Sequence, residues 1–474
     1  MKLAAAVAIA LLLAGCAGFS VDGGFGTVAQ LTQERTGLIP LRRSTPQDED
    51  IVRVRTAELL AAPLTPDGAV ELALLNNRAL QASFQQLGIA ESELVRIGRL
   101  RNPSFSFGRL SGGGVVEVER AVIFDVMGLL TMPLATRIEQ ERFEQVQLQA
   151  AGDAVRLAAL ARRTWVEAVA AQELVTYFEQ VMEAADASGE LARRMLAAGN
   201  FSKLAQMREQ AFHADATANL ARARLRAVTA REDLLRVLGI PDESTRLALP
   251  ARLPALPQAP TALADAEQQG MDQRLDLLMA RRSTAALAAS LGLTRTTRMV
   301  NVLHFGYANA SETGEERRDG YEIELELPLF DFGSARVARA EAAYMQAVHR
   351  AAQAAIDARS EVRRTHAAYR TAHELARHYR DEVVPLRKRI SEENLLRYNG
   401  MLIGVFALLA DAREQVASVA AAVESLRDFW LADADLGLAL TAGAPAGSAT
   451  GAAAGRLETA TAPAAAGSPA SNSH

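Results

Sequence analysis

The sequence contains a single cysteine, few aromatic residues and no long apolar run beyond its first segment. One cysteine excludes an internal disulfide framework, and aromatic residues at 5% argue against a large mixed core. No later stretch approaches the ~20 apolar residues of a membrane-spanning helix. A formal net charge of -5 gives no reason to expect nucleic acid as a partner. Alanine is abundant, which favours long helices that pack through small side chains.

The sequence also lacks the residue patterns of catalytic and metal sites. No nucleophile motif, phosphate-binding loop or Cys/His cluster is present, and the acidic residues show no pairing typical of general acid–base catalysis. His366, His373 and His378 share one predicted helix, but spacings of 7 and 5 residues do not place all three on one narrow face. The sequence therefore predicts a protein that is not an enzyme and that has no cofactor and no metal site.

The N-terminus has the layout of a secretory signal peptide. Lys2 precedes an apolar run that reaches Leu13, and the run ends in the residues LAGC, where the cysteine is Cys16. These four residues resemble a bacterial lipobox, in which cleavage before the cysteine leaves its sulfur to carry a diacylglycerol. Ala17 stands where many inner-membrane lipoproteins carry aspartate, so an outer-membrane address is expected. Cys16 is the predicted lipid attachment site, since two or more acyl chains anchor a protein stably.

The two halves of the chain share one pattern of residues. The run RRTW at 162–165 recurs as RRTH at 363–366, an offset of 201 residues, and Phe143 pairs with Tyr344 at the same offset. Gly199 has its counterpart near Gly400. A repeat of this length is too long for a solenoid and indicates an internal duplication.

Each copy repeats one plan of elements. A helix of about 30 residues comes first, near Pro66–Gly98 and near Thr261–Leu293, and two short strands, a very long helix, a Gly/Asn break and a second long helix follow. Prolines between the copies cannot continue a helix. The predicted division is a signal peptide at 1–15, a lipidated linker at 16–63, a first repeat at 64–240, a Pro-rich linker at 241–260, a second repeat at 261–440 and a disordered Ala/Gly/Ser/Pro-rich tail at 441–474.

The long helices carry a heptad pattern. Apolar residues and alanines recur at alternating spacings of three and four residues in both copies. In the second copy this set comprises Tyr369, Ala372, Ala376, Tyr379, Val383, Leu386 and Ile390. The segment 133–198 alone would form a helix of roughly 100 Å. Such a rod indicates a coiled-coil assembly, and Pro385 is expected to bend the second rod.

Four short runs show the alternation typical of β-strands. From Tyr321 to Leu327, apolar residues form one face and Glu322, Glu324 and Glu326 form the other. The other three runs lie at 104–108, 115–125 and 299–307. Soluble sandwiches alternate similarly, but these runs approach the ~9–11 residues that span a bilayer, and the chain is addressed to a membrane. Only helices and closed barrels cross lipid, so we expect a barrel with the three glutamates facing its lumen.

Four strands are too few for a barrel of their own, because even small barrels need about eight. The chain must then supply part of a shared barrel. Two, three or four copies would give eight, twelve or sixteen strands, and the strands alone do not choose among these numbers. Arg120 falls on the apolar face of its run, so it is expected near a membrane interface.

This order of segments resembles the TolC-like outer-membrane efflux proteins, in particular their lipidated branch. The resemblance rests on LTPDGAVELALLNNRALQA, MGLLTMPLATRI, ELPLFDFGSARVARAEAAYMQA and RYNGMLIGVFALLADAREQ, which occur in this order between about residues 64 and 440. It implies a mainly α fold with a small β part, in which a homotrimer forms a twelve-stranded transmembrane barrel and a periplasmic coiled-coil barrel. It also implies contacts with outer-membrane lipids, a periplasmic adaptor protein and an inner-membrane pump.

By the same resemblance, the two hairpins of the long helices form the periplasmic tip, where the duct narrows. Some family members carry pore aspartates at the positions of Ala205 and Ala407, so this chain departs from that pattern. Met401 stands where the family usually has the glycine of the second hairpin. The residues expected to constrict the channel are Phe201, Leu402 and Phe406, with Asp411 as the nearest acid.

Two other classes of protein fit parts of this pattern. A periplasmic adaptor lipoprotein of the same kind of system combines lipidation, β structure and a helical hairpin, but it would carry one hairpin and a pair of lipoyl-like motifs. A catalytic lipoprotein would need a constellation of reactive residues that this sequence does not contain. The sequence therefore favours the outer-membrane duct of an efflux or secretion system, with the adaptor as the alternative.

Overall fold

The computed structural model describes residues 18–240, 247–260, 266–300, 302–326 and 328–443. The predicted signal peptide at 1–15, the predicted lipid attachment site Cys16 and nearly all of the predicted tail at 441–474 lie outside these residues. The described part is mainly helical and contains one four-stranded antiparallel sheet, so the predicted fold class is confirmed.

The first copy begins with two helices in the segment predicted as a linker. Its elements are α1 (Phe25–Thr36), α2 (Pro46–Leu60), α3 (Pro66–Asn76), α4 (Arg78–Ile97), β1 (Ser104–Gly112), β2 (Val115–Asp125), α5 (Val126–Ala197) and α6 (Lys203–Leu238). Val28 of α1 is fully buried in the main core, and Phe25 packs edge-on against Phe84 of α4. Part of the predicted linker is thus folded onto the first repeat.

The second copy has the same order of elements. They are α7 (Ala266–Gln273), α8 (Leu275–Thr296), β3 (Leu303–Glu312), β4 (Arg318–Leu325), α9 (Ser334–His378), a π-helical turn (Tyr379–Val383), α10 (Val384–Asn399) and α11 (Val405–Thr441).

The first rod of copy one, α5, is continuous over 72 residues. It is longer than the predicted 133–198 because it starts directly after β2, where the Asp125 carboxylate accepts a hydrogen bond from Gly128 N at 2.7 Å.

The single helix predicted at the start of each copy is in fact two helices. The break lies at Asn77 in copy one and at Arg274 in copy two, where ψ is 115° and 125° respectively. Asn77 caps α4, because its side-chain oxygen accepts a hydrogen bond from Leu80 N at 3.1 Å. Arg274 has no such cap, and its buried guanidinium binds neighbouring groups instead. Neither break was predicted from the sequence, because a single residue in an extended conformation hardly disturbs the helical spacing of the apolar residues.

The sheet joins the two copies. Its order is β1-β2-β3-β4 with every neighbouring pair antiparallel, and β2 of copy one pairs with β3 of copy two. Phe124 lies opposite Phe305 in this central pair. Among the described residues, β1 and β4 each pair on one side only, so both edges of the sheet are open.

The long helices form a layer in the order α6, α5, α11 and then α9 with α10, as their mutual contacts show. The main core lies where α3 and α4 cover α5, and there the Trp165 indole donates to Leu64 O at 2.8 Å. A second apolar cluster holds α9 to α11 through Tyr369 and Phe429. The described part of the Pro-rich linker packs beside these helices, since Trp430 Nε1 donates to Pro254 O at 3.1 Å.

Candidate channel wall and hairpin tips

The sheet has one apolar face. Residues directly opposite each other on antiparallel strands point to the same side, so the register places Ile323, Phe305 and Phe124 in one row of that face. The next row contains Tyr321 and Tyr307. All five side chains are more than 40% exposed, from Phe305 at 46% to Tyr321 at 77%. A single chain therefore leaves a wall of aromatic and aliphatic side chains without a cover.

The opposite face is polar. Glu322 and Glu324 alternate with the apolar residues of β4, and the Glu324 carboxylate is hydrogen-bonded to His304 Nδ1 at 2.8 Å. Glu326 follows the end of β4, and its N–H donates to Val302 O at 3.4 Å. Leu327, the last residue of the predicted apolar set, lies outside the described residues. The described part of β4 therefore has the two predicted faces, one apolar and one carrying glutamates.

Midway along β2, a row of the apolar face is polar on β2, β3 and β4, whereas β1 contributes Phe107 opposite Arg120. Arg120 lies opposite Asn309, and its guanidinium donates to the Asn309 side-chain oxygen at 3.3 Å. Asn309 in turn lies opposite Asp319 on β4. Beyond this row the strands lead to the β-turns, whereas the rows nearer the helices are apolar. Arg120 thus marks one end of the apolar surface, and its position at a membrane interface stays a prediction.

The apolar surface continues past the strands into the first turns of the long helices. Leu130 at the start of α5 is 67% exposed, and Leu329 and Phe330, which precede α9, are 69% and 100% exposed. Exposed apolar patches of this kind mark sites of interaction with lipid or with another protein. The strand–helix junction is therefore part of the same uncovered surface.

The segment that follows Cys16 is held close to this junction. The Ser20 backbone N–H and hydroxyl both donate to Glu91 Oε1, at 2.6 and 2.5 Å, and Glu91 is only 6% exposed. The Arg99 guanidinium lies over the ring of Phe19, 5.8 Å from its centroid. A cavity of about 360 Å³ beside these residues is lined by Thr136 of α5. Thr136 lies about 16 Å along α5 from the sheet, at 1.5 Å per residue.

Both hairpins of the long helices close with the same turn. Gly199 and Met401 adopt the left-handed conformation, with φ of 78° and 59°. The N–H groups of Asn200 and Leu402 then donate to carbonyls five residues earlier, at 2.9 and 2.8 Å, as in a Schellman motif. Met401 therefore occupies the glycine position, and it does so in a conformation that a residue with a Cβ adopts only with strain.

The register between the two copies shifts by one position along the second rod. Thr164 and Thr365, which belong to the RRTW and RRTH runs, make the same hydrogen bonds to carbonyls three and four residues earlier. The separation of Gly199 from Met401, here called the hairpin offset, is one position longer than that of the two threonines. The π-helical turn at Tyr379–Val383 lies between them, and its i→i+5 bonding accommodates one extra residue. Pro385 lies two residues after this turn, in the first turn of α10, and the expected bend at this proline stays a prediction.

The residues predicted to constrict the channel differ in their surroundings. Leu402 lies at the tip and is 78% exposed, whereas Phe201 is partly buried. The side chain of Phe406 is outside the described part of the chain. Asp411 is only 8% exposed, and its Oδ2 has no hydrogen-bond partner among the described residues. Asp411 is therefore enclosed by helices in this conformation, and the constriction itself stays a prediction.

A buried ion pair that the sequence analysis missed ties the two hairpins together. Glu209 of α6 is 2% exposed, and its carboxylate accepts hydrogen bonds from Ser188 of α5 at 2.7 Å and from Arg413 of α11 at 3.1 Å. The Arg413 guanidinium also stacks on Phe212, 4.7 Å from the ring centroid. At the hairpin offset, Glu209 is the counterpart of Asp411. In both copies the sequence held one signal for this site, because Glu209 and Asp411 are acidic residues at positions where the heptad pattern places contacts between helices.

No metal centre emerges from the described residues, because they contain no group of three or more His, Cys, Asp or Glu arranged to hold an ion. His373, one of the histidines considered above, is buried and shares a hydrogen bond with Pro257 O at 3.0 Å. No helix in the described part of the chain is both long enough and apolar enough to span a bilayer.

Comparison with known proteins identified similar structures but no similar sequence. No protein-family model matches the chain, and no curated protein matches it in sequence. Among solved structures, the Campylobacter jejuni CmeC outer-membrane channel has a TM-score of 0.69 at 16% identity, covering 79% of this chain and 85% of CmeC. The outer-membrane channel OprN has a TM-score of 0.67 at 18% identity, covering 86% of this chain and 96% of OprN.

A third similar structure is the open state of the Neisseria gonorrhoeae MtrE outer-membrane channel, with a TM-score of 0.65 at 16% identity, covering 79% of this chain and 88% of MtrE. All three resemble this chain over both copies, since each match covers more than three quarters of it. The chain therefore has the fold of the TolC-like outer-membrane efflux channels, as its sequence resemblance predicted.

Proposed function

We propose that this chain is the outer-membrane channel of a tripartite efflux or secretion system. In this proposal, three copies form one duct that carries substrates from an inner-membrane pump to the outside. The observation that carries the proposal is that, within one chain, the four-stranded sheet and the layer of long helices each have two uncovered sides. β1 and β4 have unpaired edges within the described residues, and unpaired strand edges are not tolerated in lipid. Three copies side by side close a barrel of twelve strands.

The two faces of the sheet assign the wall of this barrel. The apolar rows of Tyr321, Ile323 and their neighbours face lipid, and Glu322, Glu324 and Glu326 face the aqueous lumen. The polar row of Arg120 marks the outer end of the lipid-facing band. That band reaches ~25 Å in such barrels, so it also includes the exposed residues at the strand–helix junction.

Lipid attached to Cys16 anchors the same end of the molecule. Gly18, two residues after Cys16, lines the cavity beside Thr136 near the sheet. The predicted cleavage after residue 15 would therefore place the acyl chains next to the membrane-facing junction. The remainder of α5 and its partners extends away from the membrane by roughly 90 Å, which is a distance suited to crossing the periplasm.

The hairpin tips are the proposed meeting point with a periplasmic adaptor protein and the site of closure. They are the parts of α5, α6, α10 and α11 farthest from the sheet. Leu402, Phe201 and Phe406 would restrict the pore by apolar packing, as hydrophobic constrictions do in other channels. Asp411, five residues after Phe406 in α11, is buried and would enter the pore only if the helices rearrange.

The adaptor alternative is not supported, because the chain has two helical hairpins and its structural neighbours are outer-membrane channels. The structural neighbours are channels, which agrees with a role in transport rather than in catalysis.

Native mass measurement of the detergent-solubilised protein tests the assembly, and the expected result is a trimer. A stable monomer with full β content would contradict the proposal.

Conductance in planar bilayers tests the tip, where Leu402→Ser is expected to raise the single-channel conductance at unchanged trimer yield. The matched control is Leu395→Ser, since Leu395 is 50% exposed on α10 above the tip. Cys16→Ser is expected to abolish acyl labelling of the mature protein.

A further inference from the structure

Arginines lie at one end of the apolar face of the sheet. This end, here called the turn end, carries the β-turns and lies away from the long helices, because β2 runs into α5 and β4 leads into α9 at the other end. Arg120 is four residues from Phe124 on β2, so both side chains point to the apolar face. Arg109 of β1 lies opposite Val118, two residues from Arg120, and therefore points to the same face.

A third arginine, Arg317, points to this face from the segment that precedes β4. Its Nε lies 3.8 Å from the Asp319 carboxylate. Asp319 also accepts a hydrogen bond from the Tyr307 hydroxyl at 2.9 Å and another from the Asn309 amide, and both of these partners belong to the apolar face. This carboxylate is thus already shared among three groups.

Acidic side chains of the two central strands lie on the polar face instead. Glu117 and Glu119 alternate with Val118 and Arg120 along β2, and Glu312 of β3 lies opposite Glu117. Alternate residues of a strand point to opposite sides of a sheet. The charges of β2 are therefore separated by sign, with arginine on the apolar face and glutamates on the polar face.

Neither Arg109 nor Arg120 has a carboxylate partner within the part of the chain that the structure describes. Arg109 is exposed, and the Arg120 guanidinium donates to the neutral side-chain oxygen of Asn309 at 3.3 Å. An arginine on the lipid face of a barrel is costly at mid-membrane and nearly neutral at an interface, where its guanidinium reaches water and lipid headgroups. An anionic headgroup would supply the counter-charge that the described chain does not.

Aromatic residues next to these arginines indicate such an interface. Tyr307 and Tyr321 lie opposite each other in the row on the helix side of Arg120, and aromatic girdles flank the apolar band of membrane barrels. Diagonal neighbours on one face of a sheet lie about 7–8 Å apart, so the long side chains of Arg109 and Arg120 can reach one anionic group together. Guanidinium groups bind phosphate oxygens through paired hydrogen bonds.

We infer that Arg109 and Arg120 bind a phosphate group of the phosphorylated glycolipid in the outer leaflet of the outer membrane, with Arg317 at the edge of the same site. The turn end lies in the outer leaflet because the long helices leave the sheet on the periplasmic side. Basic clusters at a membrane surface attract anionic lipids in the same way. This inference rests on the proposed channel, since it requires the apolar face to lie in the outer membrane.

Lipid binding to the full-length protein in detergent tests the site, with lipid A that carries two phosphates as the probe and native mass measurement as the readout. Arg109→Gln and Arg120→Gln are each expected to weaken the apparent affinity at least threefold, and together at least tenfold, because each removes a charged phosphate contact. The matched control is Arg318→Gln. Arg318 lies at the turn end and is 67% exposed, but it belongs to the polar face, where it pairs with Glu312 at 3.9 Å. This control should bind lipid A as the wild type does.

The dissociation temperature of the trimer provides a second measurement. A ligand that binds the assembled state raises this temperature, so lipid A is expected to raise it for the wild type and for Arg318→Gln, and to leave it unchanged for the double variant. Phosphatidylglycerol distinguishes the source of the phosphate. It carries one phosphate, and the wild type is expected to bind it at least tenfold more weakly than lipid A.

Three results would contradict these expectations. Lipid A binding that is unchanged in the double variant, or that is reduced equally in Arg318→Gln, would overturn the site and leave the channel proposal intact. Equal affinities for phosphatidylglycerol and lipid A would overturn the assignment to the glycolipid. A wild-type protein that forms no trimer would overturn the channel proposal and this inference together.

Discussion

The buried guanidinium of Arg274 connects three elements of the second copy, and its removal is expected to destabilise that copy strongly. Its side chain is 3% exposed. It donates two hydrogen bonds to Asp276 at 2.7 and 3.0 Å, one to Glu361 of α9 at 2.8 Å and one to Ala439 O of α11 at 2.9 Å. Burial lowers the pKa of Arg274, but the hydrogen bonds and charges of Asp276 and Glu361 together raise this pKa by a larger amount, so the net shift is upwards. The group therefore stays charged.

The magnitude follows from what Arg274→Met leaves behind. Methionine fills a similar volume, so little cavity is created, but both carboxylates lose their cationic partner and a buried carbonyl loses a donor. Removing one partner of a buried ion pair costs about 3–5 kcal/mol. Arg53→Met is the matched control, because Arg53 pairs with Asp50 while 77% exposed, and such surface pairs are worth about 0–1 kcal/mol.

Urea denaturation followed by the helical circular dichroism signal measures both variants at one fixed protein concentration. The expected outcome is a free energy of unfolding lowered by several kcal/mol for Arg274→Met and nearly unchanged for Arg53→Met. Double replacement with Glu361→Gln should recover part of the loss, because one of the two carboxylates left without a partner is then replaced by a neutral amide. Equal and small effects of Arg274→Met and Arg53→Met would refute the reasoning, since they would mean that the buried network contributes no more than a surface pair.

Three further outcomes are expected. Leu325→Arg should impair assembly, because an arginine on the lipid face costs about 2–4 kcal/mol at mid-membrane, whereas Glu324→Arg should assemble and shift the pore towards anions; equal damage would show that the faces are misassigned. Met401→Gly should raise the free energy of unfolding by about 0.5–1 kcal/mol, since glycine relieves the left-handed strain but loses more entropy; a destabilised variant would contradict this. Burial raises the pKa of Asp433 above 3.8, against the opposing charge of Arg162, so the contribution of this carboxyl to stability should fall as pH rises from 3.8 through the raised pKa, and denaturation curves over that range should show a smaller loss, or a larger gain, of stability with pH for Asp433→Asn than for wild type.

The elements with a strong period were predictable from the sequence. The heptad spacing indicated the long helices, and the alternation from Tyr321 onwards indicated β4, because a buried or lipid-facing side repeats regularly in both cases. The recurrence of RRTW as RRTH predicted the duplication. The two helices between Phe25 and Leu60 were missed, because their apolar residues are few and they are held mainly by contacts with distant parts of the chain.

The parts that could not be predicted depend on single residues rather than on a period. Asn77 breaks a helix by capping the next one, although asparagine is also tolerated inside helices. The partner of Glu209 lies 204 residues away on another helix, and nothing in the local sequence specifies that pairing. The candidate constriction has the same difficulty, since a tip residue such as Leu402 acquires its role only in the assembled duct.

The two hairpins, although duplicated, are not equally stabilised. In copy one, Glu209 is satisfied by Ser188 and Arg413, the rod is unbroken, and a glycine makes the tight turn. In copy two, the equivalent Asp411 has a buried oxygen without a hydrogen bond among the described residues, and Met401 adopts the strained turn. A π turn interrupts its rod as well. Segments with strained backbone and unsatisfied polar groups open at lower free energy than their surroundings. We therefore expect the second hairpin, from the π turn to Asp411, to open at a lower free energy than the first, which hydrogen exchange would show as weaker protection of its backbone amides.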